Sequence, residues 1–269
     1  MPLFHLVLVS LIQGVTEFLP ISSSGHLVLL PLLTGLEDQG LLIDVAAHMG
    51  TLLAVVIFFW SEVRAAALGA LRLARGKVDS QGAWLALCLL IATVPVVIAG
   101  LVFKATGIAD ALRSVEVIAW ATLAFGIALY IADRGATQVK TQRNLSLRDA
   151  GALGLWQALS LIPGTSRSGI TITGALAMGY TREDGTRIAM LMSIPTILGS
   201  GVLAATDGFA GRVPWGEVAI VVSLSFLAAL LALSIMMRLL RSVSFLPYVI
   251  YRMILGTVLL ALVYGGVIT

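Results

Sequence analysis

Stretches of about 20 apolar residues, the length that spans roughly 30 Å of hydrocarbon, recur along almost the whole chain. Six read as full membrane spans, at about 41–60, 84–103, 115–132, 187–206, 217–237 and 247–265. The composition agrees: 59% of the residues are hydrophobic and 12% charged, against about a quarter charged in soluble domains. Because a backbone in lipid must satisfy its own hydrogen bonds, the apolar runs are expected to be helices. The fold class expected is an all-α polytopic membrane protein with no soluble domain left over.

Two further apolar stretches, 3–33 and 150–178, are broken near their middles by Pro, Gly and Ser. Each half is too short to cross alone, and a break at membrane depth is tolerated only where protein or a watery cavity satisfies the freed backbone. Both are expected to be re-entrant helical hairpins. They also resemble each other. At an offset of 144, Gln13 falls on Gln157, Ser22 on Ser166, Ser24 on Ser168 and Gly25 on Gly169, within QGVTEFLPISSSGH and QALSLIPGTSRSGI. The chain is therefore expected to be one membrane domain, 1–269, built from repeats 1–138 and 148–269. Each repeat holds a hairpin and three spans, and three is odd, so the two halves should have opposite orientations.

Cytoplasmic loops are enriched in Lys and Arg. One topology places Arg64, Arg72, Arg75, Lys77, Arg134, Lys140, Arg143, Arg148, Arg182, Arg187, Arg238 and Arg241 inside, and leaves Lys104, Arg113 and Arg212 outside. Both termini are then outside, the first hairpin enters from outside and the second from the cytoplasm, and their tips meet near the midplane. The same loops account for the net charge of +3, so nucleic acid is not an expected partner; membrane lipids are. Segment 63–74, apolar on one side, is expected to be an interfacial helix. No Lys or Arg precedes Arg64, so the amino-terminal stretch reads as part of the fold rather than a signal peptide. Cys88 is the single cysteine, which excludes an internal disulfide and a cysteine metal cluster. The sequence leaves room for a homodimer without specifying one.

The two tips hold the residues capable of chemistry. Gln13 and Glu17 are four apart and share a helix face. Pro20 ends that helix, and Ser22, Ser23, Ser24 and Gly25 can start the next, with His26 in its first turn. A helix beginning with Ser and Gly presents free N–H groups and a positive dipole end, which together make an anion site. Two such ends facing each other, with Arg167 between Ser166 and Ser168, suit a phosphate or diphosphate gripped by a guanidinium fork. Ser23 and Arg167 are mates under the offset of 144 and should flank the same headgroup.

Blander readings stand beside these. Glu17 and Arg167 could be a structural ion pair, although ionisable residues at membrane depth are functional by default. The serines could bond carbonyls of their own helices, and His26 could be a capping side chain rather than an acid or nucleophile. Asp44, His48 and Thr51 share one face of the first span, as a polar cluster between helices or as support for His26 or a metal. There is no HExxH motif and no dense acidic group. Mg²⁺ or Ca²⁺ bridging Glu17 and substrate is the one metal arrangement left open.

These residues resemble the undecaprenyl-diphosphate phosphatases, also called bacitracin-resistance proteins, over essentially the full chain. The family's [EQ]xxxE stretch with a serine-rich turn and histidine stands here as Gln13 to Glu17 with SSSGH. Its PGxSRSxxT stands as PGTSRSGIT at 163–171. The resemblance implies hydrolysis of undecaprenyl diphosphate, a polyprenyl diphosphate lipid, at a site opening to the outer face of the bacterial inner membrane. By position it makes Glu17, Ser23, His26 and Arg167 the reactive centre, with Gln13, Ser166, Ser168 and Thr171 around it. Gln13 in the first motif position cannot supply charge to a cation. Inverted hairpins would equally suit a transporter or flippase of polyprenyl phosphate lipids.

Overall fold

The computed structural model describes residues 1–35, 39–206 and 213–268, with a few helical residues, Ser24 among them, described by backbone alone. Among the described residues, six helices are long and apolar enough to cross a membrane: α3 (Gly40–Phe58), α5 (Gln81–Thr106), α7 (Val115–Gly135), α10 (Arg182–Thr206), α11 (Trp215–Leu239) and α12 (Leu246–Tyr264). They fall on the six expected segments, and the protein is an all-α, multi-pass membrane protein. Large apolar side chains such as Ile131, Val202 and Leu231 stand exposed on the outside. Such a surface suits lipid and would associate in water.

The largest boundary difference is at α10, which starts at Arg182 rather than near 187. Thr181 Oγ1 accepts from Asp184 N at 3.1 Å, and Glu183 and Asp184 sit in the first turn. A capping hydroxyl and acidic residues at the positive helix end stabilise this charged extension.

Both broken segments fold as helix, break, helix: α1 (Leu3–Thr16) with α2 (Ser23–Thr34), and α8 (Leu147–Ala158) with α9 (Arg167–Ala177). At about 1.5 Å per residue none of the four reaches 30 Å. The second pair returns to where it began, because Tyr180, just after α9, donates to Asp149 Oδ2 at 2.8 Å, in the first turn of α8. The segment 63–74 makes up most of α4 (Trp60–Leu73) with its cap Ala74, separated from α3 by a break at Phe59 and packed along α5. A Cβ on its Gly69 would stand 2.1 Å from the carbonyl carbon of Gly82 in α5.

Ion pairs gather the basic loops at one end of the molecule. Arg187 pairs with Glu62 and Glu183, Arg182 with Asp133 and Lys140 with Asp149. Asp133 also accepts from Phe245 N at 3.1 Å, tying the start of α12 to the end of α7. At the opposite end the amino terminus pairs with Glu217 and Tyr264 donates to Glu116. Arg212 lies outside the described residues.

Helix crossings are close where small residues allow it, the packing mode available to helices that gain nothing from leaving water. α1 crosses α11 at Gly14, and α3 crosses α11 at Gly50, where a Cβ would lie 2.4 Å from Val222 O. The largest apolar cluster, including Phe18, Leu129, Leu153, Ile172, Tyr180 and Phe245, joins residues from both halves.

Candidate active site at the two helix breaks

Each break ends in a serine with unusual backbone. Ser22 has φ 74° and Ser166 φ 70°, and of the described non-glycine residues only Gln138 shares this region. Such conformations cost about 1–3 kcal/mol each and persist only where surrounding structure over-determines them. Both serines do the same work. Ser22 Oγ accepts from Gly25 N at 3.3 Å and Ser166 Oγ from Gly169 N at 3.1 Å, capping α2 and α9. The hydroxyls and the glycine N–H groups that the sequence offers to a ligand are thus partly spent on each other.

The tips meet. Ser168 Oγ donates to Leu19 O at 3.0 Å across the two breaks and lies 3.1 Å from Ser166 Oγ. Glu17, 7% exposed, stands at the centre of the contact. Its Oε2 accepts from Ser23 Oγ at 2.7 Å and from Gln13 Nε2 at 2.8 Å, and its Oε1 pairs with Arg167 Nη2. Arg167 also donates through Nη1 to Ser193 O of α10 at 3.2 Å. Ser23 and Arg167 therefore converge on one carboxylate. A hydroxyl donating to a buried carboxylate is the arrangement of a nucleophile with its base, and an adjacent guanidinium is suited to phosphoryl oxygens.

His48 Nε2 lies 3.7 Å from Glu17 Oε2, so its neighbour is Glu17 rather than His26. Its Nδ1 bonds Asp44 O at 2.8 Å, while the Asp44 carboxylate accepts from Gln39 Nε2 at 2.8 Å. His26 bonds none of Glu17, Ser23 and Arg167 among the described residues. Its Nδ1 lies 2.7 Å from Ser22 O and its Nε2 2.5 Å from Tyr251 Oη. A carbonyl only accepts, so Nδ1 carries hydrogen, and in the neutral ring Nε2 accepts from the phenol. Thr171 is buried, and among the described residues neither its hydroxyl nor Gln13 Oε1 has a hydrogen-bond partner. The side chain of Ser24 lies outside the described residues.

Sequence reasoning passed over Arg252 and Tyr251 of α12. Arg252 is fully buried. Its guanidinium donates to Thr122 O, Pro20 O, Thr165 O, Ala121 O and Gly164 O at 3.0 to 3.4 Å. The signal was available, because a charge inside an apolar run is as unusual at 252 as at 167.

A family model described as "Bacitracin resistance protein BacA" matches residues 6–258. The chain belongs to the bacitracin-resistance protein family. A Roseobacter denitrificans protein named undecaprenyl-diphosphatase is 61% identical over 268 residues, 98% of this chain and all of the relative. A Ruegeria pomeroyi protein of the same name is 61% identical over 271 residues, with the same coverage of both chains. One from Maricaulis maris is 45% identical over 265 residues, 97% of this chain and 98% of the relative. The match to the bacitracin-resistance family includes both helix breaks and every residue of the Glu17 network.

Proposed function

We propose that this chain hydrolyses undecaprenyl diphosphate to undecaprenyl phosphate and inorganic phosphate, recycling the lipid carrier of cell-wall synthesis and conferring bacitracin resistance. The observation that carries the reading is the convergence of Ser23 and Arg167 on Glu17, in a chain whose full-length relatives are named for this diphosphatase activity. Those names favour hydrolysis over transport, and a transporter has no need of a hydroxyl bonded to a buried carboxylate.

In the reaction Ser23 Oγ attacks the terminal phosphorus and its proton passes to Glu17 Oε2. The bond from phosphorus to the bridging oxygen breaks, and undecaprenyl phosphate leaves. The departing undecaprenyl phosphate takes the proton from Glu17. Water then attacks the phosphoserine, its proton passing through Glu17 to the Ser23 oxygen as that P–O bond breaks, which releases inorganic phosphate and the Ser23 hydroxyl. Arg167 releases Glu17 to hold oxygens of the transferring group, where stabilising charge is the main requirement. The two hydrogen bonds of His26, to Ser22 O and Tyr251, favour Ser23 over His26 as nucleophile and give the imidazole a role in holding the strained tip.

The donor set does not fit a resident divalent cation. Among the described residues Glu17 is the one carboxylate in the network, with Arg167 on one oxygen and Ser23, Gln13 and, at 3.7 Å, His48 on the other. Among the described residues no three His, Cys, Asp or Glu group as metal ligands do. In this reading Mg²⁺ or Ca²⁺ enters, if used, with the diphosphate.

The two halves, 1–138 and 148–269, are read as inverted repeats. Supporting this, the same serine-to-glycine cap closes both breaks, and α1 lies along α11 as α8 lies along α5. With the basic end in the cytoplasm, the first hairpin enters the bacterial inner membrane from outside and the headgroup approaches from that face.

The test is phosphate release from undecaprenyl diphosphate by purified protein in detergent. The parent is expected to turn over and Arg167→Ala to lose activity by about 10²-fold or more. A silent parent, or near-normal turnover by Arg167→Ala, overturns the reading.

A further inference from the structure

Arg252 has five N–H donors, and the structure gives it five carbonyl acceptors. No carboxylate pairs with it among the described residues. Three of its acceptors belong to the two helix breaks: Pro20 O at 3.1 Å, Gly164 O at 3.1 Å and Thr165 O at 3.0 Å. The other two, Ala121 O and Thr122 O, belong to α7. A charge buried at this cost is held by geometry alone, and a planar fork is what can span carbonyls from three separate segments.

Two glycines make room for it. A Cβ on Gly169 would stand 3.3 Å from Arg252 Nη1, and one on Gly126 3.2 Å from Arg252 Cβ. The preceding residue, Tyr251, reaches His26 of α2, so one turn of α12 touches both hairpins. Peptide units are planar, so a carbonyl held by Arg252 also fixes the direction of the N–H on the same unit. The Thr165 carbonyl carries the N–H of Ser166, the left-handed residue that starts α9 and precedes Arg167. Pro20 lies three residues before Ser23.

We propose that Arg252 is a positioning residue for phosphoryl transfer: it fixes both breaks so that Ser23 and Arg167 address the same phosphoryl group. This rests on the function proposed above. Arg252 touches neither Glu17 nor Ser23 in the described contacts, so its effect is carried through the backbone. Lysine keeps the charge with three donors on one nitrogen, and glutamine keeps two donors without the charge. Neither can span all five carbonyls, from both breaks and from α7, as the guanidinium does.

The experiment measures kcat and KM for phosphate release from undecaprenyl diphosphate by the parent, Arg252→Lys and Arg252→Gln, each scaled to the monodisperse folded fraction. Misplacing reacting groups by about 1 Å costs about 10²-fold, so kcat is expected to fall on that scale in Gln and less in Lys. KM should stay within about threefold, because the headgroup and tail still bind. A purely structural residue would lower the folded fraction and leave kcat per folded molecule unchanged. Parent-like kcat in both folded variants, or failure of both to fold, overturns the positioning role. A parent that releases no phosphate overturns the functional reading instead.

Discussion

Glu17 and Arg167, 150 residues apart in the chain, form an ion pair between the two helix breaks. The pair is mostly buried, with 6% and 15% of the two side chains exposed. Breaking such a pair leaves an uncompensated charge, which is why a diphosphate, itself an anion, can take over the guanidinium when Glu17 accepts a proton.

Glu17→Gln removes the base and keeps the shape. Phosphate release is expected to fall by about 10²- to 10⁴-fold, the usual contribution of a positioned base, with the protein still monodisperse in detergent. Turnover within about tenfold of the parent would exclude Glu17 as the base.

A covalent intermediate on Ser23 is acid-stable, whereas one on His26 would be acid-labile. Quenching turnover of terminally labelled substrate in acid should trap label on Ser23, and Ser23→Ala should abolish it. Label that survives only in base, and disappears in His26→Ala, would reassign the nucleophile.

Gly50→Ala places a Cβ 2.4 Å from Val222 O and 2.9 Å from Ser225 Cβ. Overpacking of this kind costs about 1–3 kcal/mol, so the melting temperature in detergent should drop. Gly199→Ala in α10 meets nothing within 4 Å and should hold or raise it, since alanine favours a helix interior by about 0.5–1 kcal/mol. Equal melting temperatures for both variants would show that the α3–α11 crossing yields freely.

Titration of the substrate-free protein with Mg²⁺ or Ca²⁺ should give no saturable binding tighter than about millimolar, as expected of a site with one engaged carboxylate. A micromolar isotherm that is lost in Glu17→Gln would establish a resident metal.

Periodicity and run length carried most of the architecture. A span announces itself through some 20 apolar residues because lipid demands them, and the six spans lie where the sequence puts them. The helix breaks were legible for the same reason: Pro20 and the Ser-Gly clusters interrupt runs that would otherwise cross. Glu17 and Arg167 stood out because charge is costly at that depth. The true start of α10 was not legible, because Arg182, Glu183 and Asp184 look like a loop until Thr181 is seen to cap them.

The sequence by itself determined the helices, their breaks and the few polar groups admitted to the membrane, since each is a local consequence of what hydrocarbon excludes. Tertiary structure alone decided the partners. It put Ser23 and Arg167 on opposite oxygens of Glu17, turned His26 toward Tyr251, and gave Arg252 its carbonyls from both breaks. Those choices depend on how distant helices cross, and the hydropathy of a run says which segments are buried without saying against what.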